Sequence, residues 1–141
     1  MTEAARSSEN RLPGATRKVG FVIVSRRLSA AALKDAMDSE PDASKTGTER
    51  FPSQATWELW AFGSPSDDLS SLIEDVLERA RLVRAQVAAL RAADPDLACV
   101  LRVIQYIHDD PLGPGFALRE NDVALLAELG AFVDVDQYYV G

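Results

Sequence analysis

The sequence predicts a single α+β domain built as a two-layer sandwich, with one four-stranded sheet, mixed or antiparallel, and helices mainly on one of its faces. Short apolar segments rich in β-branched residues alternate with amphipathic stretches, which is typical of strands that alternate with helices. The final strand alternates valine with aspartate, and a face that carries aspartates is costly to bury. The helices are therefore expected on the opposite face, and a ferredoxin-like strand order is the first expectation.

The chain is long enough for one domain and too short for two. It has 141 residues, of which 47% are hydrophobic and 26% charged, and domains usually contain about 100–150 residues. Residues 1–17 carry serine, proline, glycine and mixed charges without hydrophobic periodicity, which predicts a disordered leader. Residues 18–141 are expected to form the single domain.

The first elements of this domain are a buried strand and a short helix. Residues 18–26 are rich in β-branched residues and apolar on both alternating faces, which predicts a strand covered on both sides. Ser29 is a suitable N-cap for the helix that follows. The apolar spacing predicts that this helix runs to about Met37.

A long polar connection, residues 39–55, separates this helix from the second strand. It contains two prolines and a glycine and has no apolar period, so no regular structure is predicted there. Connections of this length are uncommon in compact domains and are often functional. Asp42 and Lys45 therefore become candidate binding residues, although an ordered surface loop is the simpler interpretation.

The middle of the chain predicts a strand and one long helix. Residues 56–62 place Trp57 on one face of the strand and Trp60 on the other. A helix is predicted to start at Pro65, because the preceding serine can cap it and proline suits the first helical turn. Apolar residues then recur every three or four positions to Ala93, which predicts a continuous helix with one buried stripe.

The last third of the chain predicts a strand, a turn, a helix and a closing strand. Residues 99–107 are rich in β-branched and aromatic residues, and the prolines and glycines of residues 108–115 indicate a turn. A helix is predicted to start between about Glu120 and Asp122 and to stop at Gly130, because glycine after a helix readily takes the left-handed conformation. In the closing strand, residues 131–140, the aspartates are expected on one face and the valines in the core.

Composition excludes several classes of function. The net charge of -7 opposes binding to nucleic acid. No apolar run is long enough to cross a membrane and no signal-peptide core opens the chain, so a cytoplasmic location without membrane contact is expected. The single cysteine, Cys99, lies in an apolar run and is expected to be an inert core residue.

Recognised catalytic motifs are missing from the sequence. The only histidine, His108, precedes Asp109 and Asp110, which suggests metal ligands, but Asp-Asp-Pro after a strand is common turn chemistry. The sequence contains neither a Gly-x-Ser-x-Gly motif nor a phosphate-binding glycine loop. We therefore predict no catalytic residue, no metal site and no cofactor.

Several short motifs occur together in an order that resembles a known family. They are a Glu-Pro-Asp loop, a strand with two tryptophans, and a closing Leu-Gly-Ala-x-x-Asp-x-Asp-x-Tyr. The residues concerned are Glu40, Pro41, Asp42, Lys45, Gly47, Trp57, Trp60, Leu129, Gly130, Ala131, Asp134, Asp136 and Tyr138. This pattern resembles the bacterial domain-of-unknown-function family DUF4279 over nearly all of the chain after the leader. The resemblance implies a compact α+β domain and supplies no activity, cofactor or catalytic residue.

A candidate binding surface follows from the residues that could carry chemistry. It consists of Asp42, Lys45, Trp60, Asp134, Asp136 and Tyr138. The two strand aspartates lie about 7 Å apart and could bind a hard cation or divide acid and base roles, but a solvated sheet face shows the same alternation. A lysine beside Trp60 could contact an anion or a protein, whereas large aromatic residues on strands are usually packed.

Two functions stay open at this point. The first is a non-enzymatic protein-interaction module, of which an immunity-type partner of a basic toxin is one form, suggested by small size, acidity and missing catalytic motifs. The second is a small enzyme or ligand-binding protein that uses Asp134 and Asp136 with the Lys45 loop. It requires these residues to converge in one pocket. The oligomeric state is not predicted.

Overall fold

Five strands and four helices form the described part of the computed structural model, which covers residues 17–47, 54–64, 66–107 and 115–139. The strands are β1 (Arg17–Ser25), β2 (Ala43–Thr46), β3 (Ala55–Gly63), β4 (Ala98–Ile107) and β5 (Ala131–Tyr139). The helices are α1 (Ala30–Met37), α2 (Leu69–Arg81), α3 (Arg84–Ala93) and α4 (Glu120–Leu129). Residues 1–16 of the expected leader and residues 108–114 of the expected turn lie outside the described residues.

The strands form one mixed sheet in the order β2-β3-β1-β4-β5. The central strand β1 is antiparallel to β3 and to β4, and β2 is antiparallel to β3. The first four strands therefore have the strand order and directions of a ferredoxin-like arrangement, with α1 before β2 and the pair α2–α3 before β4. The unit α4–β5 adds a fifth strand that runs parallel to β4. The α+β class is confirmed.

The expected number of strands was one too low, because β2 lies inside the connection predicted to lack regular structure. Its four residues are polar or small, and three of them are exposed. A short strand at the edge of a sheet needs no apolar face of its own, since its backbone pairs with β3 while its side chains remain in water. The hydrophobic period that identifies buried strands is therefore missing from its sequence.

The core lies between the helices and one face of the sheet. Alternate residues of β1, β3 and β4 point into it, among them Phe21, Trp57 and Leu101, which are fully buried. The helices contribute the apolar side chains Leu33, Met37, Ile73, Val76, Leu77, Val87, Leu90, Leu125 and Leu129. The helices are thus packed on one side, as the sequence predicts, and we call the other side of the sheet the open face.

The predicted long helix is two helices. α2 begins at Leu69, where the carboxylate of Asp68 accepts a hydrogen bond from Ser70 N, and ends at Arg81; Pro65 lies outside the described residues. A straight helix over residues 65–93 would be about 43 Å long, which exceeds the roughly 33 Å of a ten-residue strand. The break after Arg81 exposes Leu82 and keeps Val83 in the core, so that both helices cover the sheet.

The ends of α1 and α4 follow their sequence signals. The hydroxyl of Ser29 accepts a hydrogen bond from Ala32 N and caps α1. α4 ends at Gly130, whose φ of 63° is left-handed. No helix of the described ranges is long and apolar enough to cross a membrane.

Arg91 joins three elements near the start of β5. Its guanidinium donates hydrogen bonds to the carbonyl oxygens of Leu97 (2.8 Å) and Leu129 (2.6 Å), and it lies 3.4 Å from the sulfur of Cys99. A Cβ on Gly130 would come within 3.0 Å of this guanidinium. Arg91 of α3 therefore holds the C-terminus of α4 against the beginning of β4.

Glu74 of α2 and Asp122 of α4 form a carboxyl pair between the two helices. Asp122 is buried and also accepts a hydrogen bond from Arg119 N at the start of α4. A hydrogen bond between the two carboxyl groups, together with burial and the charge of Asp122, raises the pKa of Glu74. The pair therefore contributes most to stability when Glu74 is protonated.

This pair makes stability depend on pH with a defined sign. Because the pKa of Glu74 is higher in the folded than in the unfolded protein, its contribution is full in acid and is lost as the pH rises through the folded value. Glu74→Gln keeps a hydrogen-bond donor without titrating. We expect urea unfolding to show that the free energy of unfolding of Glu74→Gln increases relative to that of the wild type as the pH rises from 4 to 7.

The control for this prediction is Asp75→Asn, which removes an exposed carboxyl from the same helix. The difference in free energy of unfolding between Asp75→Asn and the wild type should not increase over the same pH range. An equal pH dependence in the wild type and in Glu74→Gln would contradict the assignment.

Candidate functional site

Five of the six candidate residues lie on the open face. The strand register places Lys45 beside Thr56 on β2, and Trp60 in one row with Gly20, Arg102 and Asp134. Asp136 and Tyr138 follow on β5, beside Ile104 and Tyr106. The sixth residue, Asp42, directly precedes β2 at the sheet edge.

The candidate residues do not converge on one small site. Neighbouring strands are about 4.8 Å apart, so the four intervals from Lys45 on β2 to the aspartates on β5 span about 19 Å. Trp60 and Asp134 are three strands apart, or about 14 Å. A single small substrate cannot easily contact both edges of this sheet.

Asp42 has a clear structural role. Its carboxylate accepts hydrogen bonds from Trp60 N and from the guanidinium of Arg79, both at 2.7 Å. The hydrogen bond to Asp42 raises the pKa of Arg79. Asp42 thus connects the backbone of β3 to helix α2.

Trp60 is held by a buried carboxylate that the sequence analysis did not single out. Its indole N–H donates to Glu58 Oε1 (2.8 Å), and the Thr56 hydroxyl donates to Glu58 Oε2 (2.7 Å). Glu58 is only 5% exposed. The spacing Thr-x-Glu-x-Trp on one strand was the available signal, since alternate residues share a face. The ring of Trp60 lies over Gly20, and Phe62 stacks beside it with the ring centroids 6.2 Å apart.

The two aspartates of β5 have different neighbours. Asp134 lies 3.6 Å from the guanidinium of Arg102 on β4, whereas the β4 neighbour of Asp136 is the apolar Ile104. Both side chains are partly exposed. The described residues contain no group of three histidine, cysteine, aspartate or glutamate side chains arranged to hold a metal ion. The sequence His108 to Asp110 lies outside the described residues.

Tyr138 belongs to an aromatic cluster at the end of β5. Its ring stacks on Tyr106 with centroids 5.3 Å apart, and the Lys18 ammonium lies 5.3 Å from the centroid of the Tyr106 ring. Burial lowers the pKa of Lys18. Half of Tyr138 remains exposed, so its ring is available for contact.

The main feature that sequence reasoning missed is the exposure of β5. Five of the eight exposed large hydrophobic residues in the described ranges lie on this strand: Phe132, Val133, Val135, Tyr138 and Tyr139. The expectation that the valines enter the core is wrong, because Val133 is 37% and Val135 43% exposed. They point to the helical side of the sheet, but β5 lies at its edge, where the helices leave most of the strand uncovered.

Cys99 is fully buried at the start of β4. Burial raises its pKa to about 11, and the nearby Arg91 only partly opposes this shift. A thiol with this pKa is protonated at neutral pH and is a poor nucleophile. The expectation of a buried core cysteine is confirmed.

Comparison with known proteins identifies a family and no individual relative. Searches of curated proteins and of solved structures give no significant match. The family described as domain of unknown function (DUF4279) matches residues 15–140, which is most of the chain. The chain therefore belongs to the DUF4279 family.

Proposed function

We propose that this chain is a non-enzymatic protein-interaction module of the bacterial cytoplasm, and that it binds its partner through β5. The observation that carries the proposal is the concentration of exposed apolar side chains on one edge strand, on both of its faces. Exposed apolar groups that lie together favour association, because contact with a partner removes them from water. Tyrosine and phenylalanine are also enriched in interfaces.

The charge of the chain favours a basic partner. A net charge of -7 on 141 residues attracts cationic proteins and accelerates their association. An immunity protein that blocks a basic toxin is the form of this function that we propose.

The separation of the candidate residues favours binding over catalysis. Lys45 lies at one edge of the open face, and Asp134 and Asp136 lie at the other. Acid–base catalysis on a small substrate needs its groups within hydrogen-bond reach of the same reacting atoms. A protein partner, in contrast, can cover the whole width of a sheet.

The test is partner capture by the full chain from an extract of its own cells. We expect Val133→Thr/Val135→Thr to reduce the amount of captured partner by about tenfold or more, because the change removes exposed apolar contact area. Threonine suits an exposed strand, so folding should be preserved. Quantitative mass spectrometry of the captured proteins is the measurement.

The matched control is Leu82→Thr/Val123→Thr, which also makes two exposed apolar side chains polar, but on the helical layer. This variant should capture the partner as the wild type does. The proposal fails if the wild type captures no partner, or if both variants capture it equally well.

A further inference from the structure

β5 is a long edge strand of the described sheet, and several of its apolar side chains are exposed. Its nine residues pair with β4 on one side, and no described strand lies on its other side. The backbone N–H and C=O groups of alternate residues therefore point outward along its length. Such an edge can accept an added strand from another chain.

The opposite edge of the sheet shows how this protein protects a strand. β2 has only four residues and carries Lys45, and short length and lysine are both common devices against unwanted pairing. β5 contains neither lysine nor proline and has exposed apolar residues on both faces. β5 therefore has the length and the apolar side chains that an added strand needs, and its only charged residues are Asp134 and Asp136.

A second copy of the same strand fits this edge poorly. Antiparallel pairing of all nine residues would place Asp134 opposite Asp136 of the other copy, twice, and like charges in directly opposed positions are destabilising. If the register is displaced by two residues, Asp134 lies opposite Asp134 of the other copy, or Asp136 lies opposite Asp136. Displacement by four residues avoids these contacts but pairs only residues 131–135 or 135–139.

The same aspartates fit a basic strand. On the open face β5 presents Phe132, Asp134, Asp136 and Tyr138 in sequence, and on the other face Val133 and Val135. Arg102 approaches Asp134 from the side of β4, whereas Asp136 has apolar Ile104 there. A lysine or arginine on an added strand would lie beside these carboxylates from the free side.

We infer that β5 binds an extended protein segment with two basic residues at alternate positions and apolar residues between and around them. The segment pairs with the outer edge of β5, its basic side chains reach Asp134 and Asp136, and its apolar side chains cover the exposed aromatic and valine residues. This inference rests on the proposed function and specifies the chemistry of the partner.

The test uses a blocked nine-residue peptide with lysine at its fourth and sixth positions, valine at the other inner positions and threonine at both ends. Titration into the full chain, followed by nuclear magnetic resonance, should shift the β5 amide signals and slow their hydrogen exchange. A peptide with glutamate in place of both lysines should show no binding. We expect Asp134→Asn/Asp136→Asn to weaken binding of the lysine peptide by about tenfold.

Two controls separate charge from backbone pairing. Asp35→Asn/Asp75→Asn removes two exposed carboxylates from the helical layer and should change the affinity by less than about twofold. In an added strand, alternate backbone N–H groups point towards β5 and the remaining ones point away from it. Two N-methylated peptides are therefore compared, one methylated at the amides that point towards β5 and one at the amides that point away. Only the peptide methylated at the amides that point towards β5 should lose binding.

Each contrary result overturns a defined part of the inference. Equal binding of the lysine and glutamate peptides, or no binding of either, overturns the basic ligand. Equal binding of the two N-methylated peptides overturns strand addition. A dimer detected by sedimentation and displaced by the lysine peptide would make a second copy the occupant of the edge. If the peptides fail while partner capture still depends on Val133 and Val135, the inference fails and the proposed function stands.

Discussion

Arg91→Ala is expected to lower the free energy of unfolding by about 3 kcal/mol, because it removes two charge-assisted hydrogen bonds and leaves two carbonyl groups without this donor. The affected carbonyls belong to Leu97 and Leu129, at the start of β4 and the end of α4. Urea denaturation measures the loss. Native-state hydrogen exchange should also show that the amides of α4 open more readily.

Two further variants test the geometry around Arg91. Arg91→Lys keeps the charge but lacks the planar guanidinium that donates to both carbonyl groups. Its free energy of unfolding should therefore lie between those of the wild type and Arg91→Ala. Arg84→Ala removes an exposed arginine from the same helix and should change the free energy of unfolding by less than about 0.5 kcal/mol. Equal losses for Arg91→Ala and Arg84→Ala would contradict the role of Arg91.

The second large effect is expected at Gly20, beneath the ring of Trp60. A Cβ at this position would lie 2.7 Å from three ring carbons, so Gly20→Ala must displace the indole. Displacement breaks the hydrogen bond from the indole to the buried Glu58. We expect a loss of about 2–3 kcal/mol in the free energy of unfolding, with a change in near-ultraviolet circular dichroism.

A double-mutant cycle identifies the cause of this loss. In a Trp60→Ala background the space above Gly20 is free, and alanine is better than glycine in a strand by about 0.5–1 kcal/mol. Gly20→Ala should therefore be neutral or stabilising in that background. An equal loss in both backgrounds would show that the Trp60 ring is not what excludes a side chain at Gly20.

The elements predicted well from sequence are those that fill the core. β1, β3 and β4 carry dense β-branched and aromatic residues, and the caps at Ser29 and Gly130 mark helix ends through local hydrogen bonding and backbone conformation. The wrong predictions concern elements that no local sequence pattern marks. β2 has no apolar face, and the break between α2 and α3 contains neither proline nor glycine.

The candidate site was also predicted only in part. Alternation along one strand was sufficient to place Asp134 and Asp136 on a shared face. It did not indicate that Arg102 lies beside Asp134, or that Glu58 is buried and accepts a hydrogen bond from the indole of Trp60. These contacts depend on which strands are neighbours and in what register, and no short segment carries that information.

The sequence by itself determined the α+β class, the one-sided helical layer and the family, because residue periodicity and short motifs act within a few positions of the chain. Only the tertiary structure decided that Val133 and Val135 lie at an uncovered edge, while Lys45 lies at the opposite one. A valine on a strand is buried only if another element covers it. Coverage is set by the packing of distant segments, which leaves most of β5 uncovered by the helices.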